Sequence, residues 1–257
     1  MIPEYIPYHP RLSLVVNVAP FGNRKGAAAR QDHALNTLEA LRPSWCDLTD
    51  AAVLHDAPDF DPGAIPQFWL ERDAADGIEG ALHLPYIREL MLISTHQTAT
   101  WIGFINNDNI VTPRFFEHFE ETDKECLMVR VSDIKALPTP GGGPWGPIKR
   151  QNPYSLDGLF VRGEARQVFW DTYPDFILGD AWDPATVQWA GRHLGPRAGF
   201  IDDDAVLHLV HGGSPARGAI TSSQLINEPT GISMTTAGGY VPTVVGKYNQ
   251  DLAKAAK

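Results

Sequence analysis

The sequence predicts an α/β fold, in which a mostly parallel β-sheet is flanked by helices. The apolar stretch 12–19 is rich in β-branched residues and is typical of a buried strand, and stretch 29–43 carries apolar residues at helical spacing. The same order recurs where the apolar stretch 101–111 precedes a helical pattern at 112–121. Strands that alternate with helices in this way are typical of parallel sheets with both faces covered.

The remaining elements continue this alternation. Further helices are predicted within 83–98, 164–173 and 183–195, and further strands within 125–134, 156–163 and 198–213. Stretch 135–153 holds five prolines and four glycines, which predicts an irregular loop that forms a flap beside a site. We expect residues 1–215 to form one domain and residues 216–257 to form an irregular C-terminal extension of the same globule.

Composition restricts the classes of function. The chain has 257 residues and a formal charge of −10, which disfavours general affinity for nucleic acid. The candidate basic patch consists of Arg24, Lys25 and Arg30, which are also compatible with a solvated turn. Cys46 and Cys126 are too few and too far apart for a disulfide scaffold or a cysteine metal motif. We therefore expect a cytoplasmic protein, with no export signal or membrane anchor.

A cluster of polar side chains follows the apolar run at 101–105. Asn106 and Asp108 are two residues apart, so on an extended strand they point to the same side. Asn107 and Asn109 can turn toward the same place where the strand ends. Ligands of parallel sheets bind beyond the carboxyl ends of strands, and oxygen ligands suit Mg²⁺ or Mn²⁺. The alternative is that these residues only end the strand and cap the next helix.

Five further residues are candidates for chemistry. His208 and His211 are three residues apart and are either metal ligands or hydrogen-bonded structural residues. Asp157 precedes an apolar strand, where a carboxylate is either paired or functional. Asp183 suits either a helix cap or a catalytic role, whereas Asp180 has no such structural explanation.

Four motifs in one order resemble nucleotide-sugar-dependent glycosyltransferases of the GT-A fold. The metal strand of such enzymes reads like YxNxDIxLT, and the counterpart here is GFINNDNIVTPRFF. The other counterparts are DGLFV, YPDFILGDAWDPATV, and AGRHLGPRAGFIDDD followed by HLVH. The resemblance covers about residues 101–215 and implies a GT-A-like, Rossmann-like sheet. Asn106 stands where a strict DxD motif has an acid, and Asp180 stands where arginine is expected.

The resemblance also implies roles for particular residues. Asp108, His211 and His208 would bind Mn²⁺ or Mg²⁺. Asp180, Asp183 and Asp157 are the expected catalytic residues, with Asp180 or Asp183 as general base toward the acceptor if the reaction inverts the anomeric centre. The residues expected to contact the donor are Asn17, Ala19, Pro20, Arg24, Arg30, Asn106 and Asn107.

The function that this resemblance implies is transfer of a sugar from a nucleoside-diphosphate sugar to an acceptor. The acceptor is left open among a glycan, a small molecule, a protein and a modified nucleic acid. One alternative is a nucleotidyltransferase that makes a nucleotide sugar, since APFGNRKG partly resembles a phosphate-binding loop. Another alternative is a non-catalytic relative that binds a nucleotide sugar.

Overall fold

The structure is a computed structural model. It describes residues 10–18, 26–52, 67–70, 79, 84–94, 98–136, 148–152, 156–179, 181–209, 226–227, 232–233 and 244–256. Within these ranges, no helix combines the length and the apolar character needed to cross a membrane.

The secondary-structure elements alternate through most of the described chain. The strands are β1 Leu12–Val18, β2 Cys46–Ala52, β3 Gln67–Trp69, β4 Trp101–Asn106, β5 Asn109–Val111, β6 Cys126–Val129, β7 Val131–Ile134, β8 Ile148–Asn152, β9 Gly158–Arg162, β10 Ala198–Ile201, β11 Val206–Leu209, β12 Ile226–Asn227 and β13 Ile232–Ser233. The α-helices are α1 Ala27–Leu41, α2 Ile87–Ile93, α3 Pro113–Glu121, α4 Gly163–Thr172, α5 Trp182–His193 and α6 Val244–Ala255.

The main sheet has seven strands in the order β10-β6-β9-β4-β1-β2-β3. Its pairings are parallel except those of β9, which runs antiparallel to both β4 and β6. The predicted α/β fold with a mostly parallel sheet flanked by helices is confirmed. Because β9 alone is reversed, the residue that precedes it, Asp157, lies at the edge where β4 and β6 end.

A second sheet of four strands, in the order β5-β11-β7-β8, begins where β4 and β6 end. The apolar run at 101–111 was expected to be one strand, but a turn at Asn107 and Asp108 divides it into β4 and β5. Arg130 similarly separates β6 from β7. In each case the chain leaves the main sheet and pairs with the small one, which therefore stands beyond the carboxyl edge of the main sheet. Within the expected loop 135–153, residues 148–152 form strand β8.

Helices pack on both faces of the main sheet. On one face, Leu90 of α2, Phe169 of α4 and Trp189 of α5 pack in one core cluster with Phe104 of β4. On the other face, Phe115, Phe116 and Phe119 of α3 pack with residues of α1 and of the sheet. The alternation of side chains along β4 divides its residues between these two cores. Both cysteines are buried and free, as expected.

The closing helix α6 lies in the stretch that was expected to be an irregular extension, and it attaches to the segment before α5. Asn249 is fully buried; its Nδ2 donates to the carbonyl of Ile177 and its Oδ1 accepts from the Ile177 N–H, both at 2.9 Å. The side-chain amide thus supplies the two hydrogen bonds that a neighbouring strand would supply. On its other side, Ile177 forms an antiparallel bridge with Tyr86.

Replacement of Asn249 by alanine is expected to destabilise the protein. Two buried backbone groups of Ile177 would lose their partners, and each such loss costs about 1–3 kcal/mol. We expect Asn249→Ala to lower the free energy of unfolding by about 2–4 kcal/mol in a urea titration. Lys247→Ala, an exposed change in the same helix, should stay within about 0.5 kcal/mol of wild type. Equal stability of the two variants would contradict this role of Asn249.

Candidate functional site

The backbone of Asp157 joins the ends of two parallel strands. Its carbonyl accepts from the N–H of Asn106 at 2.8 Å, and its own N–H donates to the carbonyl of Val129 at 3.0 Å. The close approach requires glycine at the next position, because a Cβ on Gly158 would lie 2.6 Å from the carbonyl oxygen of Phe104. Asp157 is therefore held between β4 and β6, and only 6% of its surface is exposed.

Asp157 also orients two asparagine side chains. Asn106 Nδ2 donates to Asp157 Oδ1 at 2.9 Å, and Asn109 Nδ2 donates to the Asp157 carbonyl at 3.2 Å. Both amides thereby turn their Oδ1 atoms away from Asp157. These two oxygens are buried and have no hydrogen-bond donor among the described residues. Buried acceptors of this kind are costly unless a cation or water binds them.

His208 lies between two carboxylates beside these amides. Its Nε2 is 3.4 Å from Asp108 Oδ2 and its Nδ1 is 3.3 Å from Asp133 Oδ1. Burial lowers the pKa of the imidazole, but the hydrogen bond and charge of Asp108, the charge of Asp157 and the hydrogen bond of Asp133 raise it more, to about 9. His208 is therefore an imidazolium at neutral pH. Asp108 is the most accessible of these four residues, with 26% of its side chain exposed.

The cluster has the composition of a site for a divalent cation. Asp108, Asp133 and Asp157 contribute three carboxylates, and one imidazolium faces them. The two buried amide oxygens that have no hydrogen-bond donor among the described residues lie beside them. Hard oxygen atoms of this kind are the ligands that Mg²⁺ and Mn²⁺ prefer. The types of group present are those that bind such an ion, and Asp108 is accessible from solvent, but no three of the carboxylates and the imidazole bring their ligand atoms within 4.8 Å of one another.

Other residues predicted for the site lie at the same edge or near it. Asn17, the last residue but one of β1, pairs with Asn106 of β4. Asn107 donates from Nδ2 to Oε1 of Gln31, which is buried in α1. Arg30 lies in the first turns of the same helix and is half-buried.

Asp183 was predicted as the N-cap of a helix, and this prediction is wrong. Helix α5 begins at Trp182, and its N-cap is Ala181, in a left-handed conformation with φ of 64°. Asp183 therefore lies in the first helical turn, where its charge is favourable near the helix N-terminus. The predicted site residues that lie outside the described residues are Ala19, Pro20, Arg24, Asp180 and His211.

Asp133 was missed by the sequence reasoning. It lies in the short apolar strand β7 and is 5% exposed. A carboxylate within an apolar stretch of a strand is itself a signal, because a charge is buried only when it is paired. Its partner His208 is 75 residues away, and only the parallel pairing of β7 with β11 brings them into register.

The similarity of this chain to known proteins lies in the course of its backbone. No protein-family model and no curated protein matches it. Among solved structures, it is similar to S. aureus TarS 1-349 in complex with UDP-GlcNAc, with a TM-score of 0.48 and 13% identity, covering 83% of this chain and 62% of that chain. It is also similar to the inositol-1-phosphate CTP transferase from T. maritima, with a TM-score of 0.41 and 10% identity, covering 78% of this chain and 85% of that chain. The chain thus spans less than two thirds of the TarS 1-349 structure.

The raised pKa of His208 predicts how stability depends on pH in EDTA. The stabilisation gained by protonating His208 in the folded state is fully present below its unfolded pKa of about 6.5, and it is lost as the pH rises through about 9. Between about pH 6 and pH 10, wild type should lose up to about 3 kcal/mol more unfolding free energy than His208→Gln. Denaturant titrations at both pH values measure the difference. Parallel curves for the two proteins would show that the imidazolium is not stabilised by its neighbours.

Proposed function

We propose that this protein is a glycosyltransferase that uses a nucleoside-diphosphate sugar and a divalent ion, Mn²⁺ or Mg²⁺. The observation that carries the proposal is the pair of buried amide oxygens of Asn106 and Asn109, which have no hydrogen-bond donor among the described residues and lie beside the carboxylates around His208. This cluster lies at the carboxyl edge of a mostly parallel sheet, where ligands of such sheets bind. The motif resemblance of stretch 103–116 supports a diphosphate as the ligand that the ion would hold.

The residues of the cluster would have different roles in binding the ion. Asp108 and the Oδ1 atom of Asn106 are the proposed ligands, together with a neutral histidine from the HLVH stretch. His208 would have to lose a proton to bind the ion, and His211 is the alternative. Asp157 keeps the amide oxygens in place, and Asp133 holds the ring of His208. When bound, the ion would offset the negative charge that develops on the leaving nucleoside diphosphate.

Other residues of the chain would bind the two substrates. Asn17, at the end of β1, would lie against the nucleoside, and Arg30 would reach phosphate from the first turns of α1. The acceptor would bind near the start of α5, where Asp183 is the described candidate for the general base and Asp180 is the alternative. A base at this position would remove the proton from the attacking hydroxyl group as the sugar is transferred.

The first test is whether nucleotide binding depends on the metal and on Asp108. Calorimetric titration with UDP and GDP, in Mn²⁺ and in EDTA, should show binding by one of them in Mn²⁺ only. Asp108→Ala should abolish it because the most accessible carboxylate of the cluster is lost. Asp123→Ala removes an acid with 87% of its side chain exposed and should bind as wild type does.

Three other outcomes would contradict the proposal. If neither nucleotide binds under any condition, the cluster is not a site for a nucleoside diphosphate. If nucleoside triphosphate and sugar phosphate instead yield pyrophosphate, the protein is a nucleotidyltransferase. Binding of the nucleotide without transfer or hydrolysis of its sugar would identify a non-catalytic relative.

A second test addresses the orienting role of Asp157. Asp157→Ala frees the Asn106 amide to rotate, and loss of such an outer partner typically weakens metal binding by about 10–100-fold. We expect this weakening for Mn²⁺ measured by calorimetry without nucleotide. Asn107→Ala should change Mn²⁺ affinity by no more than about threefold, because Asn107 is bonded to α1 instead. Circular dichroism in EDTA checks that both variants fold, and equal affinities would refute the role of Asp157.

A further inference from the structure

A second group of metal-ligating side chains lies between α3 and the turn that joins β10 to β11. His118 comes from the helix, and Asp202 and Asp203 come from the turn. Each residue offers one ligand atom, and the three atoms lie within 4.8 Å of one another. Among the described residues, no other group of three histidine, cysteine, aspartate or glutamate side chains meets this criterion.

The imidazole of His118 provides an independent indication of a ligand. Its Nε2 atom is buried and has no hydrogen-bond partner among the described residues. The backbone of Asp202 lies beside the same ring. A histidine that binds a metal commonly has its other ring nitrogen bonded to a carboxylate or a backbone carbonyl, which fixes the orientation of the ring.

The turn itself is built so that two of its three aspartates face His118. Asp203 and Asp204 both have left-handed backbone conformations, with φ of 52° and 58°. The N–H of Ala205 donates to the carbonyl of Asp202 at 2.9 Å and closes the turn. Ser132 donates to Asp204 Oδ1, so this third carboxylate is already engaged with β7. Asp202 and Asp203 are left for a ligand, and Asp203 is exposed, which gives an ion access from solvent.

Two arginines near the cluster are held by other contacts. Arg114 is paired with Glu117 and Glu121, each at 2.8 Å. The guanidinium of Arg130 lies over the ring of Phe200 at 3.7 Å, and its charge acts on Asp202. Neither arginine forms an ion pair with Asp202 or Asp203. Their charges reduce the attraction for a cation but leave the three ligand atoms in place.

We propose that His118, Asp202 and Asp203 bind a first-row transition-metal ion of the Zn²⁺ class. One imidazole and two carboxylates form a donor set that suits Zn²⁺, with water in the open position, and suits Mg²⁺ less well because of the nitrogen ligand. The ion would brace the turn that leads into β11, the strand that carries His208. This inference is independent of the proposed transferase function.

This site is tested by zinc binding in a variant that lacks Asp108, the most accessible carboxylate of the cluster around His208. Asp108→Ala, stripped of metal with EDTA and dialysed, is titrated with Zn²⁺ by calorimetry while the histidine signals are followed by NMR. We expect Zn²⁺ to bind and to shift the signals of His118. Adding His118→Gln should lower the Zn²⁺ affinity by at least about tenfold. Loss of a residue that only hydrogen-bonds to a metal ligand already lowers metal affinity by about this factor. Adding His193→Gln, on α5, should leave the affinity within about twofold.

The site is refuted if Zn²⁺ binds with the same affinity after His118→Gln, or if the His118 signals do not move at saturating Zn²⁺. Circular dichroism and the melting temperature in EDTA establish that each variant is folded. If His118→Gln does not fold, Asp203→Asn replaces it, because this side chain is exposed and the change conserves its shape. Unchanged Zn²⁺ affinity in Asp203→Asn would equally refute the site.

Discussion

The candidate site depends on the position of Asp157 between two strand ends. Its backbone groups bond to Asn106 and to Val129, and its side chain and carbonyl then orient the amides of Asn106 and Asn109. This is possible because β9 is antiparallel to its neighbours and therefore begins where they end. One reversed strand thus places a carboxylate at the carboxyl edge of an otherwise parallel sheet.

The groups around His208 concentrate oxygen atoms at this edge. Burial of a carboxylate is costly unless a partner compensates it, and His208 lies within 3.4 Å of both Asp108 and Asp133. Burial and its acidic neighbours act on the pKa of this imidazole in opposite directions, and the neighbours dominate. The amide oxygens that Asp157 turns outward add acceptors without adding charge. The protein therefore concentrates carboxylate and amide oxygens around one imidazole at this edge of the sheet.

The small sheet links this cluster with the proposed zinc site. Strand β11 carries His208, and the turn before it carries Asp202 and Asp203. Strand β7 carries Asp133, which holds the ring of His208, and Ser132, which holds Asp204 of the turn. Neighbouring residues of one strand thus support both clusters. A cation that braces the turn would restrict the same strand that presents the imidazole.

The sequence by itself determined the order of the elements, the parallel α/β class and the polar strand end at Asn106 and Asp108, because helical and strand periodicities are local. The tertiary structure alone decided that Asp133 meets His208 and that Asp157 orients two asparagines. These contacts join residues 75 and about 50 positions apart, and periodicity carries no information about which distant strands pair. The division of 101–111 into β4 and β5 was hidden for the same reason: both halves are apolar, and only the partners of each half distinguish them.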